Sequence, residues 1–160
     1  MHSKQYKKKY AINAQLIIIG SGELESDINN LVNKAENIKM LGYKSQEDIF
    51  ELLSVANVFV LPSGDGETWG LVTNEALNAA IPVILSNRVG SCRDLATKAN
   101  GFTFTLDNEL ELTRLMEELL SNPDRRSSMG RCSLELLKIY NPQTVVDGIV
   151  NSIKSCVKNK

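Results

Sequence analysis

The chain has 160 residues, 42% of them hydrophobic and 23% charged, with a formal net charge of -1. That length and composition suit one soluble globular domain able to bury most of its unfolded surface, and the near-neutral charge excludes a dedicated nucleic-acid binder, which carries a strong basic excess. With one histidine, His2, and three cysteines (Cys92, Cys132 and Cys156) that form no CxxC pair, the residues exclude a zinc centre and a Ser-His-Asp triad and indicate a reducing compartment.

No apolar run approaches ~18 residues, and the lysine-rich start (Lys4, Lys7, Lys8, Lys9) lacks the apolar region of a signal peptide. A cytosolic location is therefore expected. These lysines, with Lys154, Lys158 and Lys160 at the other end, read as solvated termini; the alternative is contact with a missing segment or an anionic membrane face.

Short apolar runs alternate with amphipathic segments along the chain. Strands are predicted at Gln15-Ile19, Ile38-Leu41, Val58-Leu61, Val83-Ser86 and Phe102-Thr105. The first helix, Leu24-Ala35, places Leu24, Ile28, Leu31, Val32 and Ala35 on one face. The second, Gln46-Val55, carries Ile49, Leu52 and Leu53, and the third, Leu71-Ala80, carries Leu71, Val72, Ala76, Leu77 and Ala80. Pro82 is tolerated at the start of its strand, where no ladder hydrogen bond is required of it. The final third reads as helical. Asn122-Pro123-Asp124 supplies an N-cap, a proline at the first helical position and an acid in the first turn, and Asn141-Pro142 repeats the device before a last helix running towards Val157. This order predicts an α/β fold, a Rossmann-like parallel sheet with helices on both faces. The expected divisions are 1–14 as a remnant of a preceding helix or linker, 15–140 as the Rossmann-like domain and 141–160 as a helical tail.

The informative stretch is Glu67-Thr68-Trp69-Gly70-Leu71-Val72-Thr73-Asn74-Glu75. It follows the strand Val58-Leu61 and a turn-rich Pro62-Ser63-Gly64-Asp65-Gly66, and it opens a helix. Ligands of open α/β sheets bind at the carboxyl ends of strands, and a helix starting near Gly70 or Leu71 points free N–H groups there, which suits a phosphate. The carboxylates of Glu67 and Glu75 would stand on the order of 10 Å apart. Neither suits the phosphate, but both are good hydroxyl acceptors. A ligand with hydroxyl-rich groups on either side of a diphosphate, a nucleotide-sugar, matches. Taken in isolation, two helix-edge glutamates would instead be surface ion-pair partners; the strand-end position and the Trp-Gly pair decide against that.

The segment Leu61 to Ala76 resembles the E-x7-E signature of family 4 glycosyltransferases, which have the two-domain GT-B fold. Ile81-Pro82-Val83-Ile84-Leu85-Ser86-Asn87-Arg88-Val89-Gly90 and Asn100-Gly101-Phe102 resemble the same family's next strand and loops. Ile17-Ile18-Ile19-Gly20-Ser21-Gly22-Glu23 and Met40-Leu41-Gly42-Tyr43 are similar to its earlier glycine loops. The likeness runs from about Ala14 to Tyr140. It implies the C-terminal, donor-binding domain of a retaining hexosyltransferase. Glu75 would hold the donor ribose and Glu67 the transferred sugar at the reacting centre. Backbone amides at Gly70 and Leu71, with Arg88, would face the diphosphate. Gly20, Gly22, Leu41, Gly42 and Tyr43 would border the nucleotide base, and Trp69 would wall the sugar site. Same-face attack assisted by the leaving phosphate is implied, not a glutamate nucleophile of the glycosidase kind. The donor is a substrate, so no cofactor and no metal is expected. The implied partners are a nucleotide-sugar, a glycan or lipid-linked acceptor and, for the full-length enzyme, a peripheral membrane contact at the inner face; bacterial surface polysaccharide synthesis is the implied setting.

Departures qualify the resemblance. The family's C-terminal domain opens with a strand and loop that supply an arginine and a lysine to the diphosphate. These, and the acceptor domain, are expected to lie outside this chain, with Lys4-Tyr10 as the end of the following helix. The fragment alone is expected to be inactive. Ala80 stands where a glycine commonly precedes the proline strand, which reads as a small packing change. Several residues keep a plain alternative: Trp69 as a wall packing its loop, Tyr43 as a loop tyrosine, Arg88 as a surface arginine, Asp65 as a turn residue. Cys92 and Cys132 read as buried small residues. Gly20-Ser21-Gly22 lacks the third glycine of a dinucleotide fingerprint. A non-catalytic nucleotide-binding or scaffold module on the same fold is the alternative from another class, and a phosphorylase or a sugar-nucleotide epimerase is a third.

Overall fold

The computed structural model describes residues 14–158; the lysine cluster at Lys4–Lys9, His2 and the helix remnant assigned to the first residues lie outside the described part. Among the described residues five strands alternate with helices and three helices close the order: β1 (Leu16–Ile18), α1 (Glu25–Val32), β2 (Ile38–Met40), α2 (Gln46–Val55), β3 (Phe59–Leu61), α3 (Leu71–Asn78), β4 (Val83–Ser86), α4 (Cys92–Leu95), β5 (Gly101–Phe104), α5 (Glu109–Ser121), α6 (Pro123–Leu137) and α7 (Pro142–Lys158). All strand pairs are parallel. They form a two-stranded ladder, β1-β2, and a three-stranded ladder, β3-β4-β5. The described residues divide into two compact units, the first ending at Val55 and the second beginning at Ala56.

In the first unit, Leu16 pairs with Ile38 and Ile18 with Met40. The helical face predicted for α1 is only partly buried. Ile28, Val32 and Ala35 are half-buried, whereas Leu24 and Leu31 are about two-thirds exposed, at 65% and 67%. At the start of α2, Ser45 Oγ accepts from Asp48 N–H and the Asp48 carboxylate accepts from Ser45 N–H, each at 3.2 Å, a reciprocal cap with aspartate in the usual glutamate role. These hydrogen bonds hold the Asp48 carboxyl below its ordinary value.

The second unit contains the core. Every residue of β4 is buried, as a run of Val83-Ile84-Leu85 predicts for a central parallel strand covered on both faces. Ile84, Phe104, Leu119 and Met129 form a buried cluster, and Val60, Phe102, Leu115 and Met116 pack against it. Both predicted proline-led helix starts are present. Asn122 Oδ1 accepts from Arg125 N–H at 2.9 Å and Asn141 Oδ1 from Thr144 N–H at 3.0 Å. The Arg126 guanidinium donates to the carbonyls of Leu119 and Leu120 at 2.6 and 2.8 Å, satisfying two acceptors at the end of α5. Cys92 is buried, as expected, but Cys132 is only half-buried. Helix α7 exposes Val145, Ile149, Ile153 and Val157.

Helices α3 and α6 pack together at Gly130, whose added Cβ would lie 1.9 Å from Ala80 O. Beside it Ser133 Oγ donates to Ile81 O at 2.9 Å. Ala80 itself has φ +56°, so the glycine expected at this position serves the left-handed backbone that ends α3; the substitution is conformational, not a matter of packing. Two stability predictions follow from this corner. Gly130→Ala should lower the unfolding free energy by about 1–3 kcal/mol through overpacking. Ala80→Gly should raise it by about 0.5–1 kcal/mol, because relief of left-handed strain exceeds the added chain entropy. Urea denaturation of the two variants checks both signs.

Candidate functional site

The loops at the carboxyl ends of β3, β4 and β5 are stitched together by side chains that short parallel strands bring to one edge. Ser86 Oγ donates to Ser63 O at 2.5 Å and accepts from Arg88 N–H at 3.1 Å. Asn87 N–H donates to Phe104 O at 2.8 Å, while Asn87 Oδ1 accepts from Leu106 N–H at 3.1 Å. The segment 67–69 is held by the loop after β4: Gly90 N–H donates to Glu67 O at 3.2 Å and the buried Ser91 Oγ donates to Trp69 O at 2.5 Å. Gly90 approaches so closely that an added Cβ would fall 1.8 Å from Thr68 O. The sequence placed Ser86 at the end of a strand and Gly90 in the loop after it, as part of the family resemblance, but gave neither of them, nor Ser91, a role in holding the Glu67 loop.

Gly70 then turns the chain into α3. Its φ is +78°, and an added Cβ would meet Leu61 Cδ2 at 2.8 Å and Val89 Cγ1 at 3.2 Å, so both conformation and space demand glycine. Its N–H donates to Glu67 Oε1 at 2.8 Å. The Gly70 amide expected to face a diphosphate is thus bonded to the first acid of the motif. Among the described residues, the amides of Leu71 and Val72 have no hydrogen-bond acceptor. Helices α1, α2, α4, α5 and α6 carry an acid in the first turn, but α3 opens with Leu71-Val72-Thr73 and has none. Its positive dipole end is met by Glu67, reaching back from the loop. Thr73, fully buried, has a hydroxyl with no partner among the described residues.

The remaining predicted residues of this unit fall around that start. Glu75 lies one turn further along α3 and is half-buried, as are Glu67 and Trp69. The Trp69 indole N–H donates to Asn74 Oδ1 at 3.0 Å. Leu71, predicted on the buried face of its helix, is 73% exposed at the helix start. Arg88 pairs with Asp65 at 3.4 Å, both exposed, so Asp65 holds the guanidinium on the Glu67 loop besides serving its turn.

In the first unit, Gly20, Gly22, Leu41, Gly42 and Tyr43 gather at the carboxyl ends of β1 and β2. Gly20 N–H donates to Gly42 O and Leu41 N–H to Ile18 O, both at 2.9 Å, while Gly22 O accepts from Glu25 N–H as α1 begins. Tyr43 is 80% exposed. Of the residues predicted to border a base, Gly20 and Gly42 are thus joined directly, which brings the two glycine loops together.

Parallel ladders with loops of this kind place the chain with parallel α/β folds, and solved structures narrow the class. Over 91% of this chain and 39% of theirs, sucrose-phosphate synthase from Thermosynechococcus elongatus superposes with a TM-score of 0.73 at 23% identity. HepE of Anabaena, solved in complex with UDP, does so over 89% and 41% with a TM-score of 0.74 at 18% identity. The fold is the Rossmann-like C-terminal half of a GT-B glycosyltransferase. Residues 2–133 match the model of the glycosyl transferases group 1 family, and the chain belongs to that family. It is similar to the GDP-mannose-dependent monoacylated alpha-(1-6)-phosphatidylinositol monomannoside mannosyltransferase of Corynebacterium glutamicum, at 34% identity over 74% of this chain and 32% of that protein. It is also similar to the capsular polysaccharide biosynthesis glycosyltransferase CapM of Staphylococcus aureus, at 27% identity over 74% and 31%. The chain spans about a third of the length of these curated relatives.

Because Gly90 leaves no space for a side chain against Thr68, Gly90→Ala must displace the 67–69 segment. The emission of Trp69, the single tryptophan, should then shift to longer wavelength as the indole becomes wetter, with a loss of about 1–3 kcal/mol of stability. Unchanged emission would show that the segment does not depend on the contact.

Proposed function

We propose that this chain is the donor-binding half of a retaining glycosyltransferase that takes a nucleoside-diphosphate hexose. The observation that carries the reading is the start of α3. Glu67 accepts the Gly70 N–H, the next two amides are uncommitted among the described residues, and Glu75 follows one turn later. Free amides at a positive helix end suit the diphosphate, and an acid on each side suits the hydroxyls of ribose and sugar. The similar mannosyltransferase of Corynebacterium is by name GDP-mannose-dependent, and HepE was solved with UDP and with UDP-glucose, which supports this ligand class.

In this reading Glu75 holds the ribose and Glu67 the transferred hexose. Leu71 and Val72 amides, with Arg88 swung from Asp65, meet the diphosphate. Trp69 walls the sugar side. The acceptor hydroxyl attacks the anomeric carbon on the face that the phosphate leaves, and a departing phosphate oxygen takes its proton, so configuration is retained. Glu67, with one oxygen already bonded to a backbone amide, serves as a hydroxyl acceptor and not as a nucleophile. No resident cofactor or metal enters this scheme. The acceptor, a glycan or a lipid-linked sugar of a bacterial surface polysaccharide, binds elsewhere in the whole protein, at the inner face of the membrane. Among the described residues, no helix is long and apolar enough to cross a membrane.

Calorimetric titration with GDP and UDP tests the donor site. Glu75→Ala should weaken the nucleotide that binds by about 10- to 100-fold, the loss expected for charge-assisted hydrogen bonds to two hydroxyls. Binding that survives the change would refute the ribose role. The 160-residue chain alone should transfer no hexose from GDP-mannose or UDP-glucose, and measurable transfer would overturn its assignment as half an enzyme.

A further inference from the structure

We infer that Asn74 is a positioning residue that fixes the distance between the two acids by holding Trp69; the inference rests on the donor-site reading above. Glu75 is carried by α3, whereas Glu67 is carried by the preceding loop. The backbone of that loop is tied to the segment after β4 through Gly90 N–H to Glu67 O and Ser91 Oγ to Trp69 O. Neither bond refers the loop to α3. The Glu67 carboxylate touches the helix start at Gly70 N–H, but a long, flexible side chain can keep that bond while its backbone shifts, and so does not fix the backbone from which it hangs. The Trp69 indole does. Its N–H donates to Asn74 Oδ1 across 3.0 Å in a half-buried setting, and Asn74 is the residue adjoining Glu75. One hydrogen bond thus spans the Gly70–Thr73 turn and sets the loop bearing the sugar-side acid against the helix bearing the ribose-side acid.

Asn74 suits the task because its amide is short, neutral and planar. It offers an acceptor to an indole that can only donate, and it adds no charge beside a diphosphate seat. A half-buried indole N–H left without an acceptor would turn towards water, and Glu67 two residues away would shift with it. A ligand that touches only the ribose side would be indifferent to that shift. A ligand that spans both acids would not.

The test compares GDP with GDP-mannose, and UDP with UDP-glucose, by calorimetry on the 160-residue chain. Asn74→Ala should weaken the nucleotide-sugar about five- to tenfold, the size expected for one hydrogen bond, and leave the matching nucleoside diphosphate within about twofold. Trp69→Phe should give the same split, and the double variant should be no worse than either single one, because both remove one interaction. Thermal melts of each variant establish that it is folded. Equal weakening of both ligands, no weakening of either, or additive losses in the double variant would each overturn the positioning role. Absence of binding by the unsubstituted chain to all four compounds would instead overturn the donor-site reading on which it rests.

Discussion

The arrangement of the site depends on one close approach, that of the Gly90 backbone to the Thr68 carbonyl. The space between them admits a hydrogen and nothing larger, since a Cβ would stand 1.8 Å from the oxygen. This approach lets Gly90 N–H reach Glu67 O and puts Ser91 under Trp69. Backbone hydrogen bonds inside a loop are exposed to competition from water, but Ser91 is fully buried, so its bond works in a poorly solvated setting where it is harder to replace. The backbone of the loop is thereby tied to the segment after β4, and the entropy of ordering that tie is lost on folding, before any ligand arrives.

From that fixed loop the electrostatics follow. Helix α3 leaves its first turn without an acid, unlike most helices of the chain, and draws its compensating carboxylate from Glu67. The result is a helix end half-satisfied by an internal anion and half open. Gly70 is the hinge of this geometry: its left-handed backbone and its contacts with Leu61 and Val89 allow the chain to leave β3, bring an acid forward and start a helix within a few residues. The Asp65–Arg88 pair is exposed on both sides, and a pair of that kind contributes little to stability; its interest lies in keeping a cation beside the acid loop.

The sequence made the parallel α/β order legible because buried strands such as Val83-Leu85 are continuous apolar runs and need no tertiary information to be recognised. The bounds of α2 and β4 agree with expectation to the residue. The caps Asn122 and Asn141 were equally readable, since a cap is a local hydrogen bond between neighbours in the chain. The acids Glu67 and Glu75 were marked by spacing and by the strand end before them. Other features escaped. Leu24 and Leu31 share the period of a buried face yet stand largely exposed, because periodicity says which residues line up, not how wide a surface covers them. Ala80 read as a packing change because a left-handed φ leaves no trace in composition.

The sequence by itself determined membership of a glycosyltransferase family, the alternation of strands and helices, and the place of two acids around the strand end, all consequences of local pattern and short-range order. Tertiary structure decided which groups those acids and amides engage. Gly70 N–H belongs to Glu67, Trp69 to Asn74 and Ser91, and Arg88 to Asp65. Two of these ties, Trp69 to Ser91 and Arg88 to Asp65, join residues more than twenty positions apart, and their partners are set by the register of β3 against β4. No reading of neighbours along the chain contains that register, because it is the packing of the whole sheet edge that chooses it.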